Sequence, residues 1–192
     1  MPLSAVLNKV EEITKRPDAR SRALLSINAI IQDTSNNADY PDDLVEVYLP
    51  NPTPGSYIAS LTLVLPTDPP RRKIEYVVVD GGNPLTNIKP RDVLTNSGCV
   101  HKDAYYRVGE TLQVNSTKPF DRVKLGYYKQ VGFLQESDTH WLETQAESML
   151  ILGVCASVFR ATGDDASGQE YEAQYRMARQ QFRRMIVDTE NL

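Results

Sequence analysis

The chain has 192 residues, of which 41% are hydrophobic and 24% are charged. These fractions match an ordinary soluble domain with a core of its own, and they exclude a disordered, a collagen-like and a disulfide-rich chain. The formal net charge of −4 lacks the basic surplus with which proteins hold nucleic-acid phosphates over a large surface, although it leaves room for a local basic face.

The N-terminal block, residues 1–40, has the spacing of helices. Two apolar stripes recur every three or four residues, at Val6, Val10 and Ile13 and then at Leu24, Ile27 and Ile31. Pro17 separates them, because proline disfavours helical geometry in the residue before it and suits the first turn of the next helix. The sequence therefore predicts an N-terminal helix pair.

The middle block, residues 41–132, changes to the pattern of strands. Polar and apolar residues alternate, or β-branched residues cluster, at 44–49, 60–65, 74–79, 106–114 and 123–128. Gly109 and Glu110 interrupt one of these runs, and glycine at the first central position suits a type II′ hairpin turn, which needs a positive φ there. We expect a β-rich insertion built as an antiparallel sheet or a small sandwich.

The C-terminal block, residues 133–187, returns to helical spacing. Apolar residues between 142 and 158 predict one helix, which ends at Thr162-Gly163 because glycine accepts the left-handed cap position. A second helix starts at Asp164 or Asp165 and carries a narrow stripe at Tyr171, Tyr175, Ala178, Phe182 and Met185. We expect an antiparallel helix hairpin that packs with the N-terminal helices, a flexible C-terminal arm at 188–192, and hence the α+β class.

The cysteines and the apolar runs bear on the compartment. Cys99 and Cys155 form no C-x-x-C pair and no metal-ligand spacing, so we expect structural thiols in a reducing compartment. Residues 1–15 lack the apolar stretch of a signal peptide, and the longest apolar run, Met149–Val154, is far shorter than the roughly 20 residues of a membrane helix. The prediction is a cytoplasmic protein without a membrane segment.

The search for catalytic motifs finds no phosphate-binding loop, no nucleophile elbow and no zinc-protease helix in the sequence. His101 and His140 lie in different blocks without Cys or carboxylates at ligand spacing, and His140 beside Trp141 suits helix capping or packing. Asp164-Asp165 suits a helix N-terminus, where acidic side chains complement the backbone dipole. We predict no enzymatic activity, no catalytic or metal site and no cofactor.

The last predicted helix runs from acidic to basic. Its acidic residues are Asp164, Asp165, Glu170 and Glu172, and its basic residues are Arg176, Arg179, Arg183 and Arg184. Helix-dipole complementarity explains part of this order, and a solvated face is an equally good explanation. Four arginines beside Phe182 and Met185 also suit a protein contact, because guanidinium groups pair well with the carboxylates of a partner.

Two groups of segments, near the start and near the end of the chain, form a wider pattern. At the start they are Ile13-Thr14-Lys15-Arg16-Pro17-Asp18, Ser26-Ile27-Asn28-Ala29-Ile30 and the run from Ala38 to Glu46. At the end they are Trp141-Leu142, the helix from Met149 to Phe159, Thr162-Gly163-Asp164-Asp165 and Tyr171-x-x-x-Tyr175. Together with the order helix pair, β block, helix pair, they resemble the head-to-tail adaptor (connector) proteins of tailed bacteriophages.

The resemblance implies a virion structural protein of the neck, between head and tail. Proteins of that family form a ring, commonly dodecameric, under the portal protein and dock tail proteins of the nozzle or tube, while DNA passes through without sequence-specific binding. It also implies assembly in the host cytoplasm and a final place in the virion. Carried over by region, it places the portal interface on Arg176, Arg179, Phe182, Arg183, Arg184, Val187 and Leu192.

The residues alone leave three other functions open. A tail-completion protein, another ring component of the neck or tail, would form a ring without affinity for the portal. A cell-wall hydrolase would need two carboxylates about 5–9.5 Å apart, and its candidates, Asp164 and Asp165, are adjacent on a helix and point in different directions. A DNA-binding module would use the four arginines of the last helix and would bind less tightly as salt rises.

Overall fold

The computed structural model describes residues 2–52, 61–90 and 103–190, with the backbone alone at residue 61 and at 186–190. Within these residues the fold is α+β, as the sequence predicts, with five α-helices and two sheets rich in antiparallel pairing. The chain divides into two compact units. The helical unit comprises residues 1–38 and 131–192, and the β unit comprises residues 39–130.

The helical unit is built around one buried helix. Its helices are α1 Leu3–Thr14, α2 Arg20–Asn37, α3 Leu142–Gln145, α4 Glu147–Ala161 and α5 Asp165–Glu190. α4 is the central one, because α1, α2 and α5 all pack on it and its residues Leu150, Val154 and Val158 are fully buried. α1 and α2 pack more on α4 than on each other, so the two N-terminal helices support α4 and do not form a self-contained pair.

The α4–α5 hairpin depends on two glycines. Gly163 lies in the connecting turn at φ +84°, a left-handed conformation that glycine adopts without steric cost, so the predicted cap is confirmed. Gly153 lies where α2 and α5 come close to α4. A Cβ atom at Gly153 would lie 2.6 Å from Ile30 Cδ1 of α2 and 3.0 Å from the Tyr175 ring of α5. Replacing either glycine would therefore disturb the hairpin or its packing.

The helices of the C-terminal block differ from the prediction at both ends. The single helix expected before Thr162 is broken at Ala146, whose φ of −138° and ψ of 35° are not helical, so α3 and α4 are separate. The last helix continues to Glu190, so residues 188–190 are helical where a flexible arm was expected, and residues 191–192 lie outside the described residues. Once a helix is long, each further residue adds a hydrogen bond at little cost, which carries α5 past its last apolar stripe residue.

The β unit contains two sheets. Its strands are β1 Leu44–Pro50, β2 Leu61–Val64, β3 Arg71–Val79, β4 Thr86–Asn87, β5 Ala104–Val108, β6 Thr111–Asn115 and β7 Arg122–Lys129. The first sheet has the order β1-β7-β3 and is antiparallel throughout. The second has the order β2-β6-β5-β4 and is antiparallel except for the short parallel pair β4–β5.

One apolar core joins the two sheets of the β unit. Leu63 and Leu112 of the second sheet are buried in the same cluster as Val77, Leu125 and Tyr127 of the first. The register explains the first sheet's share, because Leu125 of β7 lies opposite both Val47 of β1 and Val77 of β3. The hairpin between β5 and β6 turns at Gly109, whose φ of +57° confirms the predicted positive φ.

Candidate interaction surface

The polar side chains that the sequence offers for chemistry have structural roles in the helical unit. The backbone N–H of His140 donates to Glu143 Oε1 (2.9 Å), and the N–H of Leu142 donates to His140 Nδ1 (3.3 Å), so both side chains cap the start of α3. Asp164 Oδ1 accepts from the N–H of Ser167 (3.1 Å) and caps the start of α5. His101 lies outside the described residues.

The buried thiol has no reactive setting. Cys155 lies in the interior of α4 with no exposed surface, and burial raises the pKa of its thiol to about 11. The thiol is therefore protonated near neutral pH, where only the thiolate would be nucleophilic. Cys99 lies outside the described residues. In the described ranges, no group of three or more His, Cys, Asp or Glu side chains is placed to hold a metal ion.

A cleft of about 420 Å³ in the β unit is lined by two aspartates, Asp80 and Asp103. Both carboxylates accept hydrogen bonds from residues of neighbouring loops. Asp80 accepts from the backbone N–H groups of Asp121 (2.9 Å) and Arg122 (3.0 Å), and Asp103 accepts from the N–H (2.9 Å) and hydroxyl of Thr117. Each aspartate has a positive φ, 44° for Asp80 and 51° for Asp103, which suits residues that hold a tight connection.

Because α5 is longer than α4, its last turns extend beyond the start of α4 and form a surface at the end of the helix hairpin. Close contacts fix how α5 lies along α4: Gly168 is near Arg160, Tyr175 is near Gly153, and Phe182 is level with Met149 at the start of α4. α5 then continues through residues 183–190, about 12 Å at 1.5 Å per residue. Beyond Phe182, α5 therefore no longer faces α4.

A groove lies where the two helices part. We call it the α5 groove; its lining is Gln145, Ala146, Ser148, Met149, Ala178, Gln181, Phe182 and Met185, and its volume is about 300 Å³. Ala146, Met149 and Phe182 are buried, whereas Met185 is 49% exposed. Trp141 stacks on Phe182 with ring centroids 6.2 Å apart and so supports the groove from the side of α3. The groove therefore has buried apolar side chains at its base and the polar side chains of Gln145, Ser148 and Gln181 in its lining.

The predicted interface residues divide into two groups, and the first is held within the chain. Arg176 Nε donates to Glu172 Oε1 (2.9 Å), one helical turn earlier. Arg179 forms an ion pair with Asp33 of α2 and so ties α5 to α2. Phe182 is buried under Trp141. Arg179 and Phe182 therefore hold the end of the hairpin from within, whereas Arg176 is exposed and pairs with a residue of its own helix.

The second group points outward. Arg183 and Arg184 are exposed, and in the part of the chain that the structure describes neither has an ion pair. Val187 lies in α5, where only the backbone is described, and Leu192 lies outside the described residues. The outward cations of the α5 end are therefore Arg183 and Arg184.

The interface residues predicted from the sequence do not include several residues of the α5 groove. Ala146, Met149 and Gln181 line it, and Trp141 supports it, although none of them stood among the predicted interface residues. The residue pattern gives no signal for them, because the helix predicted before Thr162 is as long as the stretch from Asp165 to Met185. The break at Ala146, which opens the groove, has no signal in the residue pattern either.

Comparisons with known proteins do not assign the chain to a family. No family model matches the chain, and a search of curated proteins finds no significant match. Among the described residues, no helix has the length and apolar character needed to cross a membrane.

Proposed function

We propose that this chain is a head-to-tail adaptor of a tailed bacteriophage, a virion structural protein of the neck. In this proposal it forms a ring under the portal, docks the tail and leaves a channel for DNA. The observation that carries the proposal is the α5 end, where Arg183, Arg184 and Met185 are exposed and Met185 lines the α5 groove. This is the region in which the adaptor resemblance places the portal contact.

The organisation of the chain also supports the adaptor proposal. The order of two N-terminal helices, an inserted β block and a C-terminal helix hairpin is the order of the family that the sequence resembles. An interaction protein needs no catalytic machinery, and the carboxylates and histidine described above hold loops or cap helices. The mechanism we propose is geometric, since head-to-tail contacts between identical subunits close into a ring when their rotation permits.

The charge supports passage of DNA better than its retention. The formal net charge is −4, and the whole acidic excess lies in the helical unit, because residues 39–130 carry equal numbers of basic and acidic residues. Tight phosphate binding needs many basic contacts, and a ring that held DNA tightly would slow its transit. We therefore propose a channel without sequence-specific DNA contacts, in a protein that assembles in the host cytoplasm and ends in the virion neck.

The test is the native mass of the purified protein, alone and mixed with the portal protein of the same virus. We expect a discrete complex with a fixed, large number of subunits. A ring that ignores the portal would instead favour a tail-completion protein. A chain that stays monomeric in both samples would overturn the adaptor proposal.

A charge variant makes the same test specific to the α5 end. We expect Arg184→Glu to weaken portal binding at least about fivefold, the equivalent of about 1 kcal/mol for an ion pair at a surface. The matched control is Arg22→Glu, which makes the same charge change at an exposed position of α2. Equal effects of the two substitutions would mean that the portal contact lies elsewhere.

A further inference from the structure

We infer that the β unit binds one small inorganic anion, of the size of chloride, between the guanidinium group of Arg71 and the hydroxyl of Tyr127. The inference is independent of the adaptor proposal, because it concerns the interior of the β unit alone. Three observations carry it: a bulge that turns Arg71 inward, buried hydrogen-bond donors that the described chain does not satisfy, and the balance of charge at the Tyr127 hydroxyl.

A β-bulge brings Arg71 into the interior. In the register of β3 and β7, Arg71 lies opposite Lys129 and Lys73 lies opposite Tyr128, so Arg72 is the extra residue of β3. An extra residue changes the side of the sheet to which the strand's side chains point, and bulges often serve to re-aim a side chain. The Arg71 side chain is accordingly only 4% exposed. It therefore lies on the core side of the first sheet, as does the fully buried Tyr127.

Both side chains have buried polar atoms that the protein leaves without partners. Arg71 Nη2 forms an ion pair with Glu110 of the β5–β6 turn, but Nε and Nη1 are buried and have no hydrogen-bond partner among the described residues. The same is true of Tyr127 Oη. Nε and Nη1 together carry three N–H donors, and a guanidinium accepts no hydrogen bond. Because buried polar groups are nearly always paired, these donors indicate a bound acceptor.

The charge at this place favours an anion over a neutral acceptor. The acidic side chains nearby are at the surface, since Glu110 is 62% exposed and shared with Arg107, and Asp68 is exposed. Water and salt screen exposed carboxylates far more than they screen a buried guanidinium. Burial raises the pKa of Tyr127, and of the two charges that act on it Arg71, which lowers the pKa, has a larger effect than Asp68, which raises it. The hydroxyl therefore stays protonated, in a positive field, and can donate to an anion.

The surroundings limit the anion to a single atom or little more. Leu65 and Leu112 are buried in the same core as Tyr127, and the N–H of Leu65 already donates to the carbonyl of Glu110 (2.9 Å). The nearest cation of β7, Lys129, is paired with the buried Asp43 at 3.7 Å. A closely packed core has little room for the several oxygens of phosphate. A halide has one centre, a single negative charge and only acceptor capacity, which match these donors.

Chloride itself is the probe of the experiment. The ³⁵Cl NMR line of dissolved sodium chloride broadens when the ion exchanges with a protein site. We expect a saturable broadening with the wild-type protein, and we expect sodium bromide to reverse it by competition. Tyr127→Phe should lower the affinity about tenfold, because it removes one hydrogen bond to a charged group. The matched control is Tyr105→Phe, which removes the hydroxyl of another buried tyrosine of the same core and should leave the affinity unchanged.

A second variant should change the affinity in the opposite direction. Glu110→Gln removes the carboxylate that competes with the anion for Arg71, so chloride should bind more tightly, by up to about fivefold. Asp121→Asn, at an exposed acidic residue of the same unit, is the control and should have no effect. Because the Glu110 side chain is largely exposed, this variant keeps the test decisive if Tyr127→Phe unfolds the β unit.

A crystal soaked in sodium bromide gives the position of the ion. We expect an anomalous peak within hydrogen-bond distance of both Arg71 and Tyr127 Oη. A water at that position without bromide, or wild-type protein that does not broaden the ³⁵Cl line, would overturn the inference. Equal chloride affinity of Tyr127→Phe and wild type would do so as well. Weaker binding by Glu110→Gln would mean that Glu110 only holds Arg71 in place, and it would also overturn the inference. These measurements involve no portal protein, so their failure would leave the adaptor proposal standing, and loss of the portal complex would leave their result intact.

Discussion

Asn28 should contribute more to the stability of the helical unit than any other side-chain amide of α2. Its Nδ2 donates to the carbonyl of Leu134 (3.0 Å), and its Oδ1 accepts from the N–H of the same residue (2.7 Å). Nδ2 also donates to the carbonyl of Leu24 within α2 (3.0 Å). Asn28 is only 3% exposed, so these bonds join α2 to the segment before α3 in a nearly dry environment.

The cost of Asn28→Ala follows from these contacts. Each of the two bonds to Leu134 is worth about 1 kcal/mol net, and leaving the partly buried N–H and C=O of Leu134 without partners adds to that loss. Alanine is the better helix former by about 0.6 kcal/mol, which offsets part of it. We expect the free energy of unfolding of the helical unit to fall by about 2 kcal/mol.

Urea unfolding followed by Trp141 fluorescence measures this loss, because the single tryptophan lies in the helical unit. With an m-value of about 2 kcal/mol/M, the midpoint should fall by about 1 M. Gln32→Ala is the matched control, since Gln32 donates to the carbonyl of Gly132 at 3.4 Å in an exposed position. The reasoning is refuted if Asn28→Ala lowers the midpoint no more than Gln32→Ala does.

Three further tests concern the helical unit. Gly163→Ala should cost about 1 kcal/mol in thermal unfolding because φ is +84°, and the control Gly132→Ala, at ordinary φ and in open space, should be close to neutral. Burial raises the pKa of Glu143 above its ordinary 4.5, so wild-type stability should fall as pH rises above 4.5, because the unfolded carboxyl loses its proton first. Glu143→Gln should remove that part of the pH profile in urea titrations, and parallel profiles would contradict it. Cys155 should react with iodoacetamide at pH 8 only after unfolding, so rapid alkylation of the Cys155 peptide from the native chain, seen by mass spectrometry, would be inconsistent with its burial.

The helix hairpin and the strand content could be predicted because their signals are local. The stripe from Tyr171 to Met185 has the period of a helix, and Gly163 marks its turn. The Gly109 turn is equally local, since one residue with positive φ determines how the chain reverses.

Strand order depends on contacts far apart in the sequence and could not be predicted. β1 pairs with β7, so Val47 meets Leu125 across most of the β unit. Alternation shows which side of a strand is apolar, but it does not show which strand lies beside it. β3 also carries two register irregularities, between Arg71 and Lys73 and between Ile74 and Tyr76, which alternation alone does not reveal.

The candidate surface could be predicted only in part, for the same reason. The sequence shows that the end of α5 is basic, but it does not distinguish among its four arginines, Arg176, Arg179, Arg183 and Arg184. The structure separates them, because Asp33 of α2 pairs with Arg179 and leaves Arg183 and Arg184 to the outside. The base of the groove depends on the break at Ala146, where the backbone leaves helical geometry between α3 and α4.

The position of α4 in the chain has a consequence for synthesis on the ribosome. α1 and α2 are finished by residue 37, but the helix that buries their apolar sides starts about 110 residues later, a delay of roughly 5–20 s at typical translation rates. The β unit is continuous in sequence and can close its core during this delay. The nascent chain therefore carries two helices whose apolar sides are not yet covered. The α5 groove forms only after Met185 has been added, so an unfinished chain cannot engage a partner there.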